Sequence, residues 1–269
     1  MQYERELAVA QEAARVAGEI VRHWYDGNYT VQHKGHDSPV TEADTEANNA
    51  VHGLISRSFP RDGWLSEETR DSGARLRQHR VWVVDPLDGT KEFINHIPEF
   101  CVCVALVEAG EAVVGVSYNP VSDEMFAAAR GSGATLNGAP ARVSAAGDLG
   151  AARFLASRSE SARGEWAEFQ SILQLQLTGS VAYKLSLIAA GRGDATFSLK
   201  PKNEWDICAG TALITEAGGR ITDRYGAPLR FNQRAETLLP GIIACNGTLH
   251  PRIIELLSRH GHMASGDRR

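Results

Sequence analysis

Two aspartates, Asp85 and Asp88, close the segment Val81-Trp82-Val83-Val84-Asp85-Pro86-Leu87-Asp88-Gly89-Thr90. Pro86 holds Asp85 extended and fixes its own φ, so a regular strand ladder cannot continue past it. Gly89 then allows a sharp turn, with Thr90 leading into the next segment. That geometry can aim Asp85, the Leu87 carbonyl and Asp88 into one small volume at a strand terminus. Acids held together there without a counter-charge would shift a pKa upward or destabilise the fold. A hard divalent cation resolves the conflict, since Mg²⁺ takes carboxylate and carbonyl oxygens at about 2.0–2.1 Å and keeps several waters. His96 nearby makes no soft-metal pattern, which leaves zinc the weaker fit.

Other acids sit at the ends of elements: Asp44 in TEAD, Glu67 and Glu68 in LSEE, and Asp206 in EWDICAG. Each has an ordinary structural explanation. Asp44 lies three residues after Thr41, a capping-box spacing. Asp206 suits the first turn of a helix, where the macrodipole favours an acid. Glu67 and Glu68 read as surface charge. The DPLDGT segment has no such explanation, so it carries the hypothesis of a cation site.

The elements that must position these acids are legible in the pattern. Leu7, Ala10, Ala14, Ala17, Val21 and Trp24 recur at spacings of three and four, marking an amphipathic opening helix. QHKGHDSPV reads as a loop. TEADTEANNAVHGLISRSF reads as a second helix, with Val51, Leu54 and Ile55 inward and a stop before Pro60. GWLSEE is a short strand, TRDSGARLRQHR a solvated loop, and Val81 to Val84 a strand. FCVCVALVEAGEAVVGVSYNP and EMFAAARGSGATLNGAPARVS follow as neighbouring strands, with Asn137-Gly138 a hairpin turn. After about residue 145 the pattern alternates: strand RFLASR, a helix around EWAEFQSILQLQ, a helix in SVAYKLSLIAAGRG, strand DATFSL, a helix from Trp205, strand GIIACN, and a closing helix HPRIIELLSRH before a polar tail. This predicts two lobes, residues 1–145 with most of the acids and 146–269 with Asp206, joined near 143–150.

A chain of 269 residues with 43% hydrophobic and 23% charged residues can bury a large core as an ordinary globular protein. Its formal net charge of -5 supplies no bulk basic field for a nucleic-acid polymer or an anionic membrane surface. An anionic small molecule must therefore be drawn in by local lysines or bound cations. The N-terminal segment is charged early and lacks the apolar stretch of a signal peptide, and no run approaches a membrane span. Cys101, Cys103, Cys208 and Cys245 form no C-x-x-C pair and read as small core residues in a reducing, cytoplasmic compartment.

Taken in order, KGHDSPVTEAD, LSEE, VVDPLDGTKEF, YKLSLIAAGRGDA, WDICAG and EAGG span nearly the whole chain. The set resembles the lithium-sensitive, magnesium-dependent phosphatase superfamily of inositol monophosphatases, fructose-1,6-bisphosphatases and 3'(2'),5'-bisphosphate nucleotidases. The resemblance implies an α+β fold, a layered α-β-α-β-α sandwich with an N-terminal antiparallel sheet and a C-terminal mixed sheet. It implies two or three Mg²⁺ ions held by Glu67, Asp85, the Leu87 carbonyl, Asp88 and Asp206, although Ser66 replaces the glycine of the family's G-E-E motif. It gives Asp44 and Thr90 the orientation and deprotonation of the attacking water, counts Glu67 with them as catalytic, and gives Gly89 and Thr90 backbone contacts to phosphate. Two such cations would activate the water and neutralise the leaving oxygen. Monomers and homodimers share these motifs, so both remain open.

The ester is read from other residues. DGTKEF resembles the bisphosphate nucleotidase branch, as does the AYK triplet ending at Lys184. Inositol monophosphatases place a glutamate several residues before the WD, where this chain has Ser198-Leu199-Lys200-Pro201-Lys202. Lysines in place of that carboxylate favour a second phosphate over a neutral polyol, with solvated loop charge the plain alternative for Lys200 and Lys202. Ser180, Val181 and Ala182 depart from the small Gly/Ser residues common in that branch. The expected substrate is 3'(2')-phosphoadenosine 5'-phosphate, cut to AMP and phosphate. Inositol-1-phosphate or another sugar or polyol phosphate is the alternative. A catalytically silent cation-binding module would require a broken water-activating pair, and Asp44 and Thr90 are both present.

Overall fold

A computed structural model describes residues 2–33, 39–234 and 238–263 of the chain, with Leu238 and Leu239 as backbone. Helix α1 (Glu4–Tyr25) precedes a two-stranded ribbon, β1 (Gln32–His33) and β2 (Pro39–Val40), and helix α2 (Glu42–Ser58). Residues 34–38, the centre of the expected QHKGHDSPV loop, lie outside the described residues, as do the tail residues 264–269. Next come β3 (Gly63–Ser66), β4 (Arg80–Asp88), the short helix α3 (Thr90–Ile94), β5 (Cys101–Glu108), β6 (Glu111–Asn119), β7 (Glu124–Ala129), β8 (Gly133–Leu136) and β9 (Ala139–Ala141). The later part contains β10 (Arg153–Ser157), α4 (Arg158–Ala162), β11 (Gln174–Thr178), α5 (Val181–Ala189), β12 (Ala195–Ser198), β13 (Lys202–Asn203) and α6 (Glu204–Glu216). It closes with β14 (Arg220–Asp223), β15 (Leu238–Leu239), β16 (Ile242–Cys245) and α7 (His250–Arg259).

The strands β3 to β9 form a seven-stranded sheet in sequence order, and a five-stranded sheet runs β11-β10-β12-β16-β14. Strand alternation sends side chains to opposite faces, and both faces of both sheets are covered. On the larger sheet, Trp82, Val84, Val102, Val104 and Leu106 pack under α1 and α2. Val81, Val83, Cys101, Cys103 and Ala105 face the other way, against Leu185, Ile188, Ile207 and Leu213 of α5 and α6. The far side of those helices meets Leu155, Ile242 and Ala244 of the smaller sheet. Its outer face, with Phe154, Phe197 and Ile243, packs on Trp166, Phe169 and the α7 residues Ile253 and Leu257. The result is an α-β-α-β-α sandwich. The middle helices share one core with both sheets, so burial holds the sheets together at the seam where the acids collect.

Helix α6 sits unusually close to the larger sheet. A Cβ on Gly115 of β6 would lie 2.3 Å from the Ala209 carbonyl oxygen and 2.8 Å from the Ala212 Cβ, so a glycine is required there. The approach carries the N-terminus of α6, and Asp206 on its first turn, to the end of β4.

Three expectations change. The helix expected around EWAEFQSILQLQ is instead a single 3-10 turn, Ala167–Phe169, followed by β11. Gln-Leu-Gln-Leu-Thr alternates with the period of a strand, and parallel pairing with β10 outweighs the helix-forming composition of the segment. The larger sheet is antiparallel except at one edge, where β3 pairs with β4 in parallel, the long 67–79 connection leaving room for the crossover. The charged TRDSGARLRQHR run is not wholly solvated, because Arg75 is buried and donates to Asp71 Oδ2 at 3.0 Å and Asn232 Oδ1 at 2.7 Å.

His250 at the start of α7 is buried, with Nε2 2.8 Å from Thr222 Oγ1. Burial, with the Arg220 charge adding to it, pushes its pKa down to about 4. A depressed histidine leaves the fold at full stability above about pH 6.5 and weakens it as pH falls toward about 4, because the unfolded chain binds the proton first. Urea denaturation at pH 7.5 and 4.5 should show the stability difference between wild type and His250→Gln moving toward the variant by roughly 2–3 kcal/mol at the lower pH. A pH-independent difference would contradict this.

Candidate metal centre and active site

The site is built from chain ends that each need capping. At the start of α2, Thr41 N and Thr41 Oγ1 both donate to Asp44 Oδ2 at 2.7 Å, completing a capping box. The other oxygen, Oδ1, accepts from Thr90 Oγ1 at 3.1 Å, and that hydroxyl also lies 3.2 Å from the Leu87 carbonyl oxygen. The capping reading and the chemical reading of Asp44 are therefore both realised, one on each oxygen. Asp44 is buried, and burial pushes its carboxyl up to about 6 against the opposing pull of the Thr41 and Thr90 bonds.

Strand β4 runs on through Pro86 to Asp88, but its pairing with β5 shifts between Asp85, opposite Cys103, and Asp88, opposite Cys101. The proline expected to end the ladder produces a bulge that re-aims the strand end. Leu87 N donates to Asp85 Oδ1 at 3.0 Å and fixes that carboxylate. Gly89 follows at φ 103, where a Cβ would meet Phe100 Cβ at 2.9 Å and Glu99 O at 3.0 Å. Asp88 reaches across the seam, its Oδ2 accepting from Ser180 Oγ at 2.5 Å and Ala182 N at 2.6 Å, just where α5 begins. Asp206 forms a second capping box, with Asn203 N donating to its Oδ2 at 3.0 Å.

These constraints bring carboxylate oxygens of Asp85, Asp88 and Asp206 within 4.8 Å of one another. Glu67 joins them from the end of β3, its N–H donating to Val84 O at 3.3 Å, and it lines the same pocket. Burial and then the charges of Glu67, Asp88 and Asp206 hold the Asp85 carboxyl well above the usual range. Burial and then Asp88 and Glu67 push Asp206 up to about 8. Asp88 is raised by burial, against the pull of Ser180, Ala182 and the lysines beyond. The donor set consists of hard oxygens with excess negative charge and includes no imidazole or thiolate, so it fits a hard divalent cation.

The pocket over this cluster measures about 360 Å³. Gly89 and Thr90 line it with the acids, and so do Lys184 from α5 and Lys202 from β13. Lys200 is exposed and contributes no lining, so the structure separates it from Lys202. Sequence reasoning missed Glu160. It is buried on α4, and its Oε1 accepts from Lys202 Nζ at 2.9 Å and Ser198 Oγ at 2.6 Å. A carboxylate thus stands on the pocket wall after all, supplied by α4 instead of the segment before Trp205. Its only sequence signal was Ser157-x-x-Glu160, indistinguishable from an ordinary cap, which it also is: Glu160 N donates to Ser157 Oγ at 3.3 Å.

A profile of the inositol monophosphatase family matches residues 2–262 of this five-layer sandwich with clustered carboxylates at its seam, and the chain belongs to that family of phosphoric monoester hydrolases. It is 33% identical over 267 residues to inositol monophosphatase 3 of Solanum lycopersicum, covering 95% of this chain and 97% of the relative. It is 36% identical over 233 residues to the Nus factor SuhB of Escherichia coli, covering 82% and 85%. The Thermotoga maritima IMPase superposes with a TM-score of 0.84 at 28% identity, covering 97% of this chain and 100% of the other.

Removing one of these acids should stabilise the metal-free protein. A carboxyl whose folded pKa is raised lowers stability as pH rises from about 4 to about 8, since the unfolded chain releases its proton first. In chelator at pH 8, Asp206→Asn should melt several degrees above wild type. Added Mg²⁺ should raise the wild-type Tm and leave the variant nearly unmoved. A variant that melts lower in chelator would show that the acids do not repel as described.

Proposed function

We propose that the chain is a Mg²⁺-dependent phosphomonoesterase, and that its ester is 3'(2')-phosphoadenosine 5'-phosphate, cut to AMP and phosphate. The hydrogen-bonded Asp44–Thr90 pair beside the carboxylate cluster carries the reaction class. Glu67, Asp85, Asp88, Asp206 and the Leu87 carbonyl would hold two or three ions. Bound there, the ions supply the positive charge that draws in a phosphate, activates a water and neutralises the leaving oxygen.

The chain's own residues do the rest. Thr90 Oγ1 donates toward Asp44 or the Leu87 carbonyl, which leaves a lone pair to orient a water by accepting a hydrogen bond; as the water's proton passes to Oγ1, the Thr90 hydroxyl proton passes to Asp44. Asp44, raised to about 6, is suited to take that proton near neutrality. Backbone N–H groups at Gly89 and Thr90 border the place where the phosphate would sit. An unbroken pair of this kind argues against a silent cation-binding module.

Lys184 and Lys202 on the pocket wall support the bisphosphate ester. A second reading, inositol-1-phosphate or another polyol phosphate, is favoured by the Glu160 carboxylate on that wall and by relatives named inositol monophosphatases. Lithium sensitivity accompanies either reading. No helix of the described residues is long and apolar enough to cross a membrane, and the four cysteines are free and buried, which supports a reducing, cytoplasmic setting.

Phosphate release should vanish in chelator, return with Mg²⁺, and fall by roughly a thousandfold or more in Asp88→Asn. Retained turnover in that variant would sink the metal assignment. Side-by-side kcat/KM values for the bisphosphate nucleotide and inositol-1-phosphate decide the ester, and a clear preference for the inositol ester would overturn it.

A further inference from the structure

Lys184 is buried, and among the described residues nothing accepts a hydrogen bond from its Nζ, although it lines the pocket. Burial holds its pKa down, and the largest opposing influence is the charge of Glu160. A buried ammonium with unfilled donors facing a pocket is an anion-binding group in waiting. Lys202 Nζ spends one donor on Glu160 Oε1 at 2.9 Å and keeps two others.

Glu160 itself is clamped on three sides. Ser198 Oγ and Lys202 Nζ hold Oε1, Trp166 Nε1 reaches Oε2 at 3.3 Å, and Ser157 caps the backbone N–H. Trp166 is fixed in turn by stacking on Phe197, with ring centroids 4.3 Å apart. Burial raises the Glu160 carboxyl, but Lys202, Ser198 and Lys184 outweigh it and keep the group ionised below its ordinary pKa. Two neighbouring ammoniums could not share this wall uncompensated. Glu160 offsets part of that charge, as do Asp88 and Glu92, and the unfilled donors of the two lysines remain for a ligand.

We infer that Glu160 is a positioning residue for specificity: it aims Lys202 and balances Lys184 so that the two lysines receive the second anionic group of the ester. The inference rests on the bisphosphate reading given above. A plain monoester has no second phosphate for this wall to hold, so Glu160 acts selectively on the bisphosphate.

The test uses the Mg²⁺-loaded enzyme with 3'-phosphoadenosine 5'-phosphate and β-glycerophosphate. Glu160→Gln should lower the ratio of kcat/KM between the two by about tenfold, chiefly through KM for the bisphosphate, the size of one charge-assisted hydrogen bond. Glu160→Asp, which keeps the charge, should restore most of the ratio. Adding Glu160→Gln to Lys202→Met should lower it by less than the two single losses multiplied, because the Glu160–Lys202 contact is common to both. Equal losses on both substrates would reduce Glu160 to a structural role, and multiplying losses in the double variant would make it independent of Lys202. If wild type shows no preference for the bisphosphate, the ester reading fails and this inference with it. If wild type prefers it and Glu160→Gln keeps that preference, only the role of Glu160 is refuted.

Discussion

The repulsion among Asp85, Asp88, Asp206 and Glu67 is the constraint on which the rest of the structure depends. Two unit charges about 4 Å apart repel by about 4 kcal/mol at an effective dielectric of about 20. Three such pairs equal the whole net stability of a typical domain, about 5–15 kcal/mol. The acids therefore cannot all be ionised in a fold held together by burial alone: burial raises all three aspartates, and the neighbouring charges raise Asp85 and Asp206 further. A cation converts the same geometry from a cost into an attraction.

No single element could hold these groups. Asp44 comes from α2, Asp85 and Asp88 from the bulged end of β4, Glu67 from the end of β3, and Asp206 from α6. Their convergence is a property of layering. Gly115 lets α6 lie on the larger sheet, while Asp88 closes the seam by accepting from the start of α5. The shared core of the middle helices thus sets the distances between the acids, and those distances set the chemistry.

Most of this was legible in the sequence because the signals were local. Apolar residues spaced three and four apart from Leu7 to Trp24 marked α1, the Asn137-Gly138 turn marked a hairpin, and DPLDGT marked a strand end with no structural excuse for its acids. What failed was decided by distant partners. Gln174 to Thr178 became an edge strand because β10 was available to pair with it. Arg75 was buried by Asn232, more than 150 residues away. Lys200 and Lys202 looked alike in sequence, yet β13 directs one to the pocket and the loop leaves the other in solvent.

The competition between capping and chemistry for Asp44 and Asp206 turns out to be no competition. A carboxylate has two oxygens, and in Asp85, Asp88 and Asp206 one is spent on a backbone N–H, joined at Asp88 by the Ser180 hydroxyl, while the other has no hydrogen-bond donor among the described residues. The spent oxygen locks the rotamer, and that lock keeps the free oxygen aimed at its neighbours despite their repulsion. Asp44 follows the same plan with Thr90 in place of the cluster. Glu160 extends it further along the pocket lining, where the partner of the locked carboxylate is a lysine. Capping is therefore the means by which this fold places charge. A capping-box spacing at a strand or helix end is weak evidence against function whenever several such ends meet at one seam.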